Sequence, residues 1–169
     1  KDGSAHLLFR HRDAPDLKRS AVFATHDYPD PRRSPGTKGP DVEALLSART
    51  RARQRGADDA VILTADGYVV DGTTSAVVWW RGDILCAPPF ADDAPEFARV
   101  DSVTARSLFG MAAALGLETH RERVTPAELD GTEVWALGAL HGIRIVTEWM
   151  DGPDLAEQPG RLAAWRDRR

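Results

Sequence analysis

Apolar positions in this chain gather into short runs broken by glycine, proline and charge, the pattern of strands joined by turns. "HLLFR" (6–10) and "SAVFAT" (20–25) predict two strands across a charged loop that holds Pro15. "AVILT" (60–64) and "YVV" (68–70) flank Ala65-Asp66-Gly67, and "SAVVWW" (75–80) and "ILCA" (84–87) flank Arg81-Gly82-Asp83; both triplets are hairpin turns. "LETHRERV" (117–124), "TEVWAL" (132–137) and "IRIVTEW" (143–149) predict three more strands. Helical spacing appears over 41–56, where Val42, Leu45, Leu46 and Ala52 share a face, Asp41 stands at the N-cap and Gly56 stops the helix. It returns over 102–116, opened by Ser102 or Asp101 and closed by Gly116, and in a terminal helix over 160–168. Thr125, Pro126 and Glu128 form a capping box for a short turn of helix.

These elements predict a mixed α/β (α+β) chain, without the βαβ regularity of a doubly wound sheet and without a GxGxxG or Walker loop. Between His26 and Pro40 four prolines, Pro29, Pro31, Pro35 and Pro40, make an irregular crossing segment. Residues 1–40 are read as the entry strands and crossing segment of one domain, and 41–169 as its remainder. The 169 residues, 42% apolar and 28% charged, suit a single domain with a real core. A net charge of -4 and scattered arginines argue against a nucleic-acid or anionic-membrane partner, and no apolar run is long enough to span a bilayer. Arg49, Arg51, Arg53 and Arg55 beside Asp58 and Asp59 read as a solvated helix face. Cys86, the one cysteine, leaves no internal disulfide and no multi-cysteine metal site; it fits a reducing, cytoplasmic setting.

Three features could carry chemistry. Lys38 sits in a stiff loop among Pro35, Gly36, Gly39 and Pro40. Asp71 and Gly72 follow a hairpin strand and precede the hydroxyls of Thr73, Thr74 and Ser75. "VDSVTARSLFG" opens a helix whose first N–H groups, with the Thr104 hydroxyl, could hold an anion. Taken singly, a loop lysine is usually a solvated charge, Asp-Gly is usually turn chemistry, and Ser-Val-Thr is usually a cap.

Taken in order, "TKGPD", "GADDAVILTADGYVVDGTTSAVVWW", "LCAPP", "DSVTARSLFGMAAALGLE" and "ELDGTEVWALGALHGIRIV" resemble the larger domain of the fold-type IV pyridoxal-phosphate enzymes. That class IV aminotransferase family includes branched-chain and D-amino-acid aminotransferases and aminodeoxychorismate lyases. The resemblance implies a β-rich pseudo-barrel with surrounding helices. It implies pyridoxal 5'-phosphate as cofactor, with Lys38 as the Schiff-base lysine and proton shuttle, and Asp71 as the carboxylate on the pyridine nitrogen. It places Val103 and Thr104 at the phosphate, Thr73 to Ser75 along the ring, and the backbone N–H of Ala139 in a further binding turn. His141 and Arg144 could meet a substrate carboxylate, or be a surface histidine and a strand arginine. No metal is implied. The implied partners are a small amino acid or amino-chorismate-like substrate and a second copy in a homodimer.

The sequence departs from the family at several points. Asp71 stands where glutamate is usual, one methylene shorter; "DSVT" replaces Pro-Gly-[IV]-Thr; Ala105 replaces an arginine; and "ALGALHG" lacks a side-chain donor at 137–139. The family's smaller N-terminal domain, which brings an arginine to the phosphate, is expected to be missing, with Arg32 or Arg33 as stand-ins. Three functions follow: amino-group transfer between an amino acid and a 2-oxo acid, a lyase of the aminodeoxychorismate-lyase type, or a cofactor-poor, non-catalytic binding or assembly subunit.

Overall fold

The structure is a computed structural model that describes residues 9–11 and 13–168. Its strands are β1 (Ser20–Thr25), β2 (Asp59–Leu63), β3 (Val69–Gly72), β4 (Ala76–Arg81), β5 (Ile84–Ala87), β6 (Thr119–Arg121), β7 (Glu133–Gly138) and β8 (Gly142–Met150). They form one mixed sheet in the order β3-β2-β1-β8-β7-β4-β5-β6. β1 runs parallel to β2 and β8, β5 runs parallel to β6, and the other pairs are antiparallel. The sheet curls until its edges meet: the Val69 N–H of β3 donates to the Val124 carbonyl just past β6, at 2.8 Å. This is the β-rich pseudo-barrel that the resemblance implies.

Strand alternation sorts the core into two layers. Phe23, Val61, Val77, Trp79, Val134, Ala136, Val146 and Trp149 pack on one face. Val78, Trp80, Leu85, Trp135, Leu137, Ile143 and Ile145 line the other, against helix α2 (Val103–Ala114) through Leu108 and Ala112 and against α3 (Arg161–Arg166) through Trp165. Trp165 meets Trp80 and Trp135 with ring centroids 5.5 and 6.0 Å apart, so one aromatic side chain docks a helix of less than two turns. Helix α1 (Val42–Gln54) connects β1 to the parallel β2 and seats Ala52 against Ala24 and Ala60.

Both hairpin triplets turn the chain as predicted, with Gly67 at φ 85° and Gly82 at φ 61°, where only glycine is unstrained. The capping box is also present: the Thr125 N–H and hydroxyl both donate to Glu128 Oε2, at 2.7 and 2.8 Å. Its element is a 3-10 turn over Pro126–Leu129. Two predicted strands differ. Residues 6–8 of the first lie outside the described residues, and Phe9 and Arg10 are irregular. The strand predicted over 117–124 keeps only 119–121, because the chain must then leave β5 to reach β3. Asp41 sits at the N-cap but does not cap. Its carboxylate instead accepts the Arg33 and Ser34 N–H groups, each at 2.9 Å. Among the described residues no helix is long and apolar enough to cross a membrane.

Candidate functional site

That use of Asp41 shapes the loop around Lys38. The two N–H groups bind the carboxylate, hold its pKa below the usual carboxylate range, and close residues 33–41 at the base. Thr37 N–H donates to Ser34 O and Val42 N–H to Gly39 O, with Gly39 at φ 120°, so the loop is folded on itself. Lys38 stands exposed on it, with no hydrogen-bond or ion-pair partner among the described residues. The resemblance implies a Schiff-base lysine in a stiff loop; the structure has the stiff loop, with the amine facing solvent.

Asp71 closes β3 and is half-buried. Its Oδ1 is sealed from water and has no hydrogen-bond partner. Burial pushes its pKa up to about 7, and the charge of Asp59 adds to the rise; Arg99, Arg32 and the Gly72 N–H pull the other way. Arg32, one of the two stand-ins, has a buried side chain that forks onto Asp30, Nε to Oδ1 at 2.8 Å and Nη2 to Oδ2 at 2.7 Å, while Arg33 is exposed. The charge of Arg32 favours the ionised form of both Asp41 and Asp71.

The three hydroxyls after Asp71 have another employment. Asp59 is fully buried, and its carboxylate collects Thr73 Oγ1, Thr74 Oγ1 at 2.9 Å, Ser75 Oγ at 2.7 Å, and the Ala60 and Thr74 N–H groups at 2.9 and 3.2 Å. Gly72 is tight against this knot: a Cβ there would lie 2.8 Å from Ser75 O and 3.0 Å from Asp59 Oδ2. Thr73, Thr74 and Ser75 therefore fix the turn behind Asp71. The sequence reading missed Asp59, taking it with Asp58 as a surface charge. Its place at the head of the wholly apolar run 60–63 was the available signal, since a residue in phase with a buried strand is buried too.

Helix α2 opens as expected. Ser102 Oγ accepts the Ala105 N–H at 3.2 Å, which leaves the N–H groups of Val103 and Thr104 without an intrahelical acceptor. Val103 is exposed and Thr104 buried. Ala139 lies exposed in the β7–β8 turn, and the neighbouring Gly138 packs against the Thr74 carbonyl, 3.6 Å from where a Cβ would stand. Arg144 is buried on β8 with Nε unpartnered. Burial lowers its pKa against the pull of Asp59 and Asp58. His141 Nδ1 accepts the Lys18 N–H at 3.3 Å, and Lys18 pairs with Asp58 at 2.6 Å. Arg144 and His141 thus belong to a charge cluster centred on Asp58 and Asp59, with Arg144 as the buried counter-charge.

Asp71 thus feels the charges of Arg99 and Arg32, and the Gly138 turn sits on the 73–75 turn. The donor set suits a flat cationic nitrogen heterocycle bearing a phosphate. Asp71 Oδ1 lacks the N–H it would accept, and the first turn of α2 offers N–H donors to an anion.

A family model described as amino-transferase class IV matches residues 4–149. Over 85 residues the chain is 27% identical to a probable branched-chain-amino-acid aminotransferase of Rickettsia bellii, covering 50% of this chain and 27% of that protein. Among solved structures it is similar to a putative 4-amino-4-deoxychorismate lyase of Legionella pneumophila, with a TM-score of 0.78 at 17% identity, covering 93% of this chain and 59% of the other. It is also similar to a branched-chain amino acid aminotransferase of Thermobaculum terrenum in PLP-form, with a TM-score of 0.77 at 22% identity, covering 93% and 53%. At such identities the structural likeness is one of fold. The chain spans a little over half the length of these solved relatives.

Proposed function

The chain belongs to the class IV aminotransferase family, and from that premise we propose that it binds pyridoxal phosphate and moves an amino group between an amino acid and a 2-oxo acid. The orphaned Oδ1 of Asp71 carries this reading. A half-buried carboxylate oxygen with no donor is costly in a folded chain, and a protonated pyridine nitrogen is the donor it lacks. When bound, the cofactor supplies an electron sink for the carbon that loses a proton.

This chain's own residues divide the remaining work. Asp71, ionised, holds a proton at the ring nitrogen, with Arg32 and Arg99 favouring its charged form. The Val103 and Thr104 N–H groups, with the dipole of α2, hold the phosphate. Lys38 supplies the amine that retains the cofactor's carbonyl carbon and then carries a proton to and from the substrate carbon. Asp59 keeps the 72–75 turn rigid behind Asp71. Arg144 and His141 are left to the Asp58–Asp59 cluster. A homodimer, which the resemblance implies, would be the working unit.

Adding cofactor to the protein is expected to give a visible absorption band distinct from that of free cofactor, lost in Lys38→Ala and shifted in its pH dependence by Asp71→Asn. An unchanged spectrum in Lys38→Ala would remove the lysine assignment. Product analysis separates transfer, which yields a new amino acid, from lyase-type elimination, which yields pyruvate and an aromatic amine. The exposure of Lys38 and the engagement of the 73–75 hydroxyls favour a second reading, a binding or assembly subunit without turnover. It predicts no band at all.

A further inference from the structure

Two arginines, Arg99 with its charge felt by Asp71 and Arg121 with no role so far, meet at the loop that follows β5. Arg99 follows the 3-10 turn Pro95–Phe97. Its Nη1 donates to Pro89 O at 2.7 Å and to Phe97 O at 2.9 Å, and its Nη2 to Pro88 O at 3.0 Å. Arg121, on β6, directs Nη1 to that same Pro88 carbonyl at 3.5 Å. The two guanidinium groups therefore converge on one oxygen. Arg121 is also held flat between aromatic rings, its Cζ 4.2 Å from the centroid of Phe90 and 4.1 Å from that of Phe109. Two rings this close to Cζ crowd the guanidinium and leave its N–H groups to meet any further partner.

Like charges brought this close, and partly out of water, call for a counter-charge. Among the described residues no carboxylate lies within 4.0 Å of either guanidinium, although nine ion pairs form elsewhere. Burial and the charge of Arg99 push the Arg121 pKa down to about 10, and burial lowers Arg99 as well. The acidic groups acting on Arg99 from beyond ion-pair distance are Asp71, itself pushed up to about 7, and then Asp101. A planar, bidentate oxyanion matches the Arg fork.

We propose that Arg99 and Arg121 form a receptor for an oxyanion, a carboxylate or a phosphate, at the loop of Pro88, Pro89 and Phe90. Its existence rests on this geometry alone; which molecule brings the oxyanion, cofactor or substrate, rests on the proposed function.

The test uses the whole chain and three variants. Arg121→Met keeps the apolar stem between the two phenyl rings and removes the fork. Arg121→Lys keeps the charge without the fork, and Arg99→Lys does the same at the other arginine. Cofactor-free protein is titrated with inorganic phosphate and with 2-oxoglutarate, following thermal unfolding. The midpoint is expected to rise with at least one of them in the wild type, to rise less in both lysine variants, and to stay flat in Arg121→Met. Pyridoxal phosphate is then compared with pyridoxal, and 2-oxoglutarate with pyruvate. Loss of about tenfold in affinity for pyridoxal phosphate but not pyridoxal assigns the oxyanion to a cofactor phosphate. A similar loss for 2-oxoglutarate but not pyruvate assigns it to a second acid group on the substrate. Equal responses of wild type and all folded variants to every probe would overturn the receptor. Because the phosphate titration needs no cofactor, it can succeed where the Lys38 assignment fails, and the reverse.

Discussion

Asp71 is the most exposed point of the account, because its environment sets a measurable pH dependence in the cofactor-free protein. Its pKa rises from 3.8 in the unfolded chain to about 7 in the fold, chiefly through burial. At about 1.4 kcal/mol per pH unit, that rise corresponds to about 4 kcal/mol. Below about pH 4 the carboxyl is protonated in both states and contributes nothing. Between about pH 4 and pH 7 the unfolded chain gives up the proton and the folded one keeps it, so stability falls as pH rises, and above about pH 7 the whole penalty is present. Asp71→Asn removes the titration. Any cost of unpaired polar atoms on its amide is the same at every pH, because the amide does not titrate. Urea unfolding of cofactor-free wild type and variant at about pH 4 and about pH 8 isolates the difference. The variant should gain about 4 kcal/mol relative to wild type between the two conditions, and saturating pyridoxal phosphate should shrink the gain by giving wild-type Asp71 a donor. An equal stability difference at both pH values would mean that burial of the orphaned oxygen does not raise the Asp71 pKa.

Other expectations concern the frame of the site. Trp165→Ala deletes the aromatic anchor of α3 against Trp80 and Trp135 and should cost about 3–5 kcal/mol in urea unfolding, since Trp165 is nearly fully buried. Asp59→Ala leaves the Thr73, Thr74 and Ser75 hydroxyls without their acceptor and should cost about 3 kcal/mol or more, with weakened cofactor binding. Asp59→Asn should cost less, which a paired denaturation series checks. Gly72→Ala drives a Cβ to 2.8 Å from the Ser75 carbonyl and should lower stability by about 1–3 kcal/mol, seen as an earlier thermal midpoint.

Much of this fold was legible in the chain because local chemistry decides it. Gly67 and Gly82 mark the hairpins, Ser102 caps α2 as read, and the Thr125–Glu128 box closes where expected. What stayed hidden depends on partners distant in sequence. Asp41 occupies a cap position, yet its carboxylate turns back to Arg33 and Ser34, a choice only the folded crossing segment can make. Asp59 looked like surface charge beside Asp58 until strand phase and the 73–75 hydroxyls enclosed it. The convergence of Arg99 and Arg121 on Pro88 joins a loop to an edge strand, and no local pattern encodes it. Of the candidate residues, Asp71 carries an unpartnered oxygen and Lys38 stands on a stapled, exposed loop, and neither feature can be read from local sequence.

Lys38 is accordingly where the central claim meets its most direct test, and the sequence makes that test clean, since its lysines are Lys1, Lys18 and Lys38. The protein is mixed with one equivalent of pyridoxal phosphate, reduced with borohydride to fix any attachment, digested and mapped by mass spectrometry. Near-stoichiometric label is expected on Lys38, with little on Lys1 or Lys18 and a sharp drop in Asp71→Asn. Label spread evenly over the three lysines, or absent from Lys38, would contradict the claim.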